Sequence, residues 1–219
     1  MRTILRSLGL FLISLSVPFF LLMTVIRLLI TPLYPQIEYR MPWFPSDPYG
    51  FSLEDRLRWS RVSIDYLLND AGIEFLSNQR LPDGTPLYNE RELNHMRDVK
   101  LLVQSMVTAW TILTSVYLIL LAWAWRRGWL VDLLHAFRRA GWWTIGLVVL
   151  ILVGVGVSFN WLFTMFHRLF FVGDTWLFRY SDSLIRLFPL PFWRDAFILM
   201  GALTLLGGFL LTRLPERSI

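Results

Sequence analysis

Four stretches of about twenty apolar residues dictate what this chain can fold into. A bilayer's hydrocarbon core, about 30 Å thick, is crossed by roughly 20 residues of helix at about 1.5 Å each. The stretches run approximately over 8–30, 101–125, 142–166 and 196–214. No water reaches such a core, so each must satisfy its backbone internally as a helix. The expected fold is an all-α, four-transmembrane-helix bundle, forming one integral membrane domain over residues 1–219. Arg2 and Arg6 precede the first run as they would in a signal peptide. That run is too long for a signal's apolar core and no small-residue cleavage pattern follows, which marks a retained anchor.

Orientation follows from the arginines, since segments left on the cytoplasmic side keep an excess of basic residues. Arg2, Arg6, Arg126, Arg127, Arg138, Arg139, Arg213 and Arg217 fall in the termini and the 126–141 loop, against only Asp132 and Glu216. Segment 31–100 has slightly more acidic than basic residues. Both termini and the 126–141 loop are therefore expected in the cytoplasm of a multi-pass cell-membrane protein. Segments 31–100 and 167–195 are expected outside.

The larger outer segment reads as a mainly helical extracytoplasmic cap between spans 1 and 2. Five prolines from Pro32 to Pro48 punctuate an extended lead-in. Ser52 with Asp55 marks a helix start, and Leu53, Leu57, Ile64 and Leu68 follow at helical spacing. Leu81 to Pro86 reads as a turn, tipping a short hairpin. Asn89 with Glu92 starts a helix that should run unbroken into the second span. At about 70 residues the cap is expected to pack on the bundle rather than fold alone. The smaller outer segment alternates aromatic and polar residues, as a stretch lying along the membrane surface does.

Composition removes several function classes. The chain is 55% hydrophobic and 17% charged, and its eleven tryptophans cluster near span ends, where indole rings settle among headgroups. A net charge of +5 is accounted for by topology rather than by nucleic acid. With no cysteine, thiolate nucleophiles, disulfides and thiolate metal sites are excluded. No phosphate loop or dinucleotide fingerprint supports nucleotide binding, and no cofactor is expected. Gly154, Gly156, Gly207 and Gly208 are read as close-packing positions between helices.

Three histidines remain. His135 falls in the basic inner loop, where a solvated surface role is expected. His95 lies 31 residues before Arg126 and His167 lies 28 after Arg139. In continuous helix these are roughly 46 and 42 Å, which sets both imidazoles at similar depth near the outer interface. Asp98, one turn from His95, shares its helix face and is placed to orient the ring. Arg97 and Arg168 flank the pair and are candidates to hold a developing oxyanion. Asp174 is a further supporting residue, although it, Asp182 and Asp195 also read simply as partners of Arg168, Arg179, Arg186 and Arg194. An interfacial histidine is often only a polar boundary residue. Two at matched depth with a carboxylate on one face point to a site.

Three motifs carry a resemblance. Asn94-His95-Met96-Arg97-Asp98-Val99-Lys100 opens a span, and Phe166-His167-Arg168-Leu169-Phe170-Phe171 leads to Asp174-Thr175-Trp176. Asp182 to Pro189 and Phe192-Trp193 complete it. The chain resembles the lipoprotein intramolecular transacylase family, four-span membrane proteins of Gram-positive and related bacteria, in topology throughout and in residues around these motifs. The resemblance implies an acyltransferase whose partners are membrane lipid and diacylglyceryl-modified lipoproteins. It moves an acyl chain from the glyceryl group to the α-amine of the N-terminal cysteine, giving the lyso form without nucleotide or acyl carrier. His95 and His167 would share the base and acid roles, at an active site facing outward.

Two other readings compete. Two histidines and Asp98 are a ligand set for a divalent ion in a membrane hydrolase, but no His-Glu-x-x-His run accompanies them, and no metal is expected. A four-span scaffold or accessory protein with structural histidines is the non-enzymatic reading. Purified activity and its sensitivity to chelators separate the three.

Overall fold

The computed structural model describes residues 2–215, with side chains from residue 6 onward. Glu216, Arg217 and the side chain of Arg2, all used above to orient the chain, lie outside the described residues. Eight helices are seen among those residues: α1 (Arg2–Leu29), α2 (Leu33–Glu38), α3 (Leu53–Leu68), α4 (Glu74–Ser77), α5 (Glu90–Arg126), α6 (Leu130–Phe170), α7 (Ser183–Leu187) and α8 (Leu190–Thr212). Four of them, α1, α5, α6 and α8, are long and apolar enough to cross a membrane. The expected all-α fold and its four spans are present, and the chain is a multi-pass membrane protein.

The 126–141 segment differs from expectation. Helix α5 ends at Arg126 and α6 begins at Leu130, so the connection is only three residues. Gly128 takes a left-handed φ of 70°. That lets the Trp129 amide reach back to the Ala124 carbonyl at 3.0 Å and the Gly128 amide to the Trp125 carbonyl at 3.4 Å, closing the helix tightly. His135 is consequently a helix residue. Its Nε2 is buried without a hydrogen-bond partner, contrary to the solvated role expected of it.

The described residues divide into two compact units, those up to 27, 107–157 and those from 197 onward in the first, and 28–106 and 158–196 in the second. In the first, Val17, Tyr117, Leu133, Phe137 and Ala140 form the core. Hydroxyls solve their own solvation problem: Thr144 donates to Ala140 and Ser14 to both Leu10 and Ala136. Ser16 meets the Tyr117 hydroxyl at 2.7 Å and Arg6 pairs with Asp132. A Cβ on Gly141 would stand 2.5 Å from the Gly208 carbonyl, and one on Gly201 2.6 Å from Leu152. Glycine therefore sets α6–α8 packing, through Gly208 as expected. Gly154 and Gly156, expected to do the same, have no atom near where a side chain would stand.

The second unit carries helices α2, α3, α4 and α7 with the 90–106 part of α5, the 158–170 part of α6 and the start of α8. Its core of Trp59, Tyr66, Leu76, Leu87, Tyr88, Met96, Leu184 and Leu187 is drawn from both of its chain segments. The expected cap is thus not built from 31–100 alone. Both predicted helix starts are formed. Ser52 and Asp55 make a reciprocal cap on α3. The Asn89 side chain accepts from the Glu92 amide (3.1 Å) while the Glu92 carboxylate accepts from the Asn89 amide (2.8 Å). On α3 the inward face is Arg56, Trp59, Ser60, Ser63, Ile64 and Tyr66, whereas Leu53 and Leu68 are exposed. Of the residues expected at helical spacing, Ile64 is buried and Leu57 packs against a core cluster, while the two end leucines face outward. The turn at 81–86 is present with a single bridge between Arg80 and Pro86.

Candidate active site

Both candidate histidines belong to the second unit. The reciprocal cap at Asn89 starts α5, and its Glu92 stands one turn before His95. The other Glu92 oxygen accepts from the Leu184 amide at 2.6 Å, which ties this turn to α7. On α6 the helix breaks at Ser158, whose backbone is extended (φ −161°, ψ 94°). Its Oγ accepts from the Trp161 amide at 3.3 Å, so Ser158 caps a new helical segment that carries His167. The third span is not one continuous helix, as the depth count assumed.

The two imidazoles nevertheless come together, their ring centroids 6.0 Å apart and their planes 22° from parallel. Both are buried, at 6% and 9% exposure, and rings enclose them. Phe171 stands 4.9 Å and Phe178 5.4 Å from His95. Phe163 at 4.1 Å, Trp176 at 4.9 Å, Phe171 at 5.5 Å and Phe166 at 5.5 Å surround His167. The motif around 166–176 had drawn attention to this aromatic block. The aromatic block from Phe166 to Phe178 was expected at the mouth of the site, and Phe178 falls within it; Phe163 was not singled out, because nothing in an isolated sequence separates a phenylalanine lining a site from one facing lipid.

Nδ1 of His167 lies 2.7 Å from the Phe163 carbonyl. A carbonyl only accepts, so Nδ1 carries the proton and Nε2 keeps its lone pair. Nδ1 of His95 is buried without a partner. Asp98, expected to orient that ring, therefore does not hold this nitrogen. Arg97 is exposed and donates to Asn94 Oδ1 at 2.8 Å. Arg168 and Asp174 are also exposed. Of the expected carboxylate–arginine partnerships, Arg194 and Asp195 pair at 2.8 Å, whereas Asp182 accepts from the Arg179 backbone and Arg186 pairs with Asp47. Among the described residues no group of three or more His, Asp or Glu side chains is arranged to hold a metal ion. The pair is chemically suited to proton transfer, with one nitrogen whose acceptor role is set by a hydrogen bond and a partner ring within reach of the same reacting group.

Comparison with known proteins is consistent across the chain. Residues 11–193 match the family described as lipoprotein intramolecular transacylase Lit. An uncharacterised protein of Aquifex aeolicus is 32% identical over 176 residues, covering 79% of this chain and 77% of its own. The crystal structure of the lipoprotein intramolecular transacylase Lit from Bacillus cereus superposes with a TM-score of 0.78, covering 94% of this chain and 92% of that one at 18% identity. A form of the same Bacillus protein with one histidine replaced by arginine gives 0.66 at 17% identity, with 96% and 92% covered. At such identities these structures speak to the fold.

Proposed function

The chain belongs to the lipoprotein intramolecular transacylase family, and from that premise we propose that it rearranges the lipid of bacterial lipoproteins by histidine acid–base catalysis. The substrate is a lipoprotein whose N-terminal cysteine carries an S-diacylglyceryl group and a free α-amine. The amine nitrogen attacks the carbonyl carbon of one glyceryl ester. A C–N bond forms, the C–O bond to glycerol breaks, and the acyl chain ends on nitrogen as an amide. The glyceryl oxygen leaves with a proton, so the product is N-acyl-S-monoacylglyceryl-cysteine and no co-reactant is consumed.

The observation that carries this reading is the enclosed His95–His167 pair. An α-amine near neutral pH is largely protonated and must lose protons to attack and to complete the amide. His167, with Nδ1–H engaged by Phe163, presents Nε2 as the acceptor and suits the base role. His95 is then the partner that returns a proton to the departing glyceryl oxygen. Covalent transfer through a histidine is less favoured, because it adds an intermediate that a neighbouring amine makes unnecessary. The exposed Arg97 and Arg168 could approach the oxyanion only with their side chains turned toward the pair. The aromatic enclosure excludes water, which would otherwise compete with the amine for the ester.

The test is mass spectrometry of a reporter lipoprotein's N-terminal lipopeptide, made in a bacterium that leaves diacylated lipoproteins with a free amine. Expression of the chain should yield fragment ions with one acyl chain on nitrogen and one on glycerol. His95→Ala and His167→Ala should each lower conversion about 100-fold or more while the protein still accumulates in the membrane. A fully active double variant would end the acid–base reading. An unchanged diacyl form with folded wild-type protein present would end the substrate assignment.

A further inference from the structure

The segment from Leu169 to Tyr180 carries two unlike sets of side chains. Its inward residues are the wall of the histidine site: Phe171 touches both imidazoles, Trp176 lies against His167 and Phe178 against His95. Several apolar residues of the segment, together with Asp174, are exposed instead. Leu169 is 76% exposed, Val172 92% and Tyr180 79%, with Leu177 half exposed. These exposed apolar residues lie within two residues of rings that contact the imidazoles.

Continuity identifies what covers this face. Trp161, Met165 and Leu169 recur at four-residue spacing along α6, all exposed, and Val172 extends the row past the helix end. On a helix that crosses a membrane, an exposed apolar row of this kind faces lipid chains. The exposed Arg168 precedes the segment and the exposed Arg179 lies near its end, as basic side chains do where they reach from an apolar surface to headgroup phosphates. Arg91 pins the segment by donating to the Leu177 carbonyl at 3.1 Å. Gly173, with φ of 73°, supplies the sharp bend at which Val172 projects.

We propose that the outward face of Leu169–Tyr180 is immersed in the bilayer, and that acyl chains of the lipid-modified substrate first meet the protein there, next to the rings that contact His95 and His167. Substrate chemistry is taken from the function proposed above, whereas the immersion of the segment is independent of turnover. A lipid-anchored substrate then never leaves the membrane. Its chains slide along Leu169 and Val172 while its amine and ester reach the pair past Phe171.

Because the chain has no cysteine, single thiols report cleanly. Leu169→Cys and Val172→Cys, with Asp83→Cys in the exposed 81–86 turn as reference, are spin-labelled and placed in lipid nanodiscs. Collision with oxygen, which concentrates in lipid, is compared with collision with a water-soluble nickel chelate. Labels at 169 and 172 should favour oxygen and the label at 83 nickel. A photoreactive group on the same thiols should capture a chain-labelled diacylglyceryl-cysteine lipopeptide from 169 and 172 and not from 83. Nickel access at 172, protection from both reagents as a protein partner would give, or no lipopeptide capture would each overturn the proposal. Mass spectrometry of the wild type runs in parallel. Lipid contact at 172 without acyl migration would sink the assigned reaction and leave the immersed surface standing.

Discussion

The two units of this protein are held together by different means. In the first, polar side chains mostly satisfy carbonyls nearby in their own helices, and backbones come into direct contact at Gly141 and Gly208. In the second, polar side chains fasten segments far apart in the chain. Arg186 donates twice to Asp47, 139 residues away, donates also to the Tyr49 carbonyl, and covers the Phe51 ring at 3.5 Å. Lys100 donates to Asn69 and Ala71 and lies over the Tyr66 ring at 4.1 Å. Apolar helices amid lipid gain little from hiding apolar surface, so closeness of approach decides their packing. A unit that must fix two imidazoles in relation to one another needs directional bonds.

Three perturbations break or sharpen this contrast. The largest is Arg186→Met, which leaves the buried Asp47 carboxylate without its partner. A loss of about 3–5 kcal/mol is expected, confined to the second unit. Hydrogen exchange should accelerate in α3 and α7 and stay unchanged in the 107–157 part of the bundle; uniform acceleration would contradict the division. Asp47 also supplies a pH signature. Burial raises its carboxyl, but the Arg186 hydrogen bonds and charge, with the amides of Phe51 and Tyr49, outweigh burial and hold it below the usual range. Its contribution is present above the ordinary aspartate pKa and is lost as pH falls through the lowered one.

Gly141→Ala comes next. The new Cβ meets the Gly208 carbonyl, which is backbone and cannot rotate away, so the helices must part at a cost of about 1–3 kcal/mol. Gly154→Ala, where the space is open, should be neutral or slightly stabilising, since alanine favours helix. Thermal unfolding in one detergent compares the two, and equal effects would remove glycine contact as the packing determinant.

The smallest effect belongs to Glu38. Its carboxyl is buried with Oε1 unpartnered, and its pKa rises to about 7. Burial is the main cause, followed by the charge and hydrogen bonding of Asp195, while Arg194 and Tyr34 oppose the rise. The protonated form is the one the fold favours. Its stabilisation is complete below the ordinary glutamate pKa and disappears as pH climbs through about 7. Denaturation midpoints should fall modestly between pH 5 and 9 in the wild type and not in Glu38→Gln. The same slope in both would assign it elsewhere.

Much of the architecture was legible in local chemistry. A span announces itself because most of its residues must be apolar, and Ser52–Asp55 and Asn89–Glu92 announce helix starts because a free amide needs an acceptor three residues away. The matched positions of His95 and His167 were also legible, as a count of residues along helices, although α6 breaks at Ser158 and the count assumed that it did not. The polar partners of those rings were not legible. Asp98 shares a helix face with His95 yet leaves Nδ1 unmet, because sharing a face sets direction and not distance. The buried face of α3 was only partly legible, since beside Ile64 it includes Arg56, Ser60 and Ser63; Arg56 donates to the Pro45 carbonyl and Ser63 meets the Tyr88 hydroxyl, partners that the local pattern does not show.

By itself, then, the amino-acid order determined what depends on a few residues at a time: helix, four spans, two helix caps and two histidines near one level. Tertiary structure alone decided that 28–106 and 158–196 make one unit, that four phenylalanines and a tryptophan close around the imidazoles, and that Phe163 sets which nitrogen of His167 accepts a proton. The reason is physical. Hydropathy and capping are sums over neighbours along the chain, whereas a ring pair 6.0 Å apart depends on packing between segments separated by scores of residues.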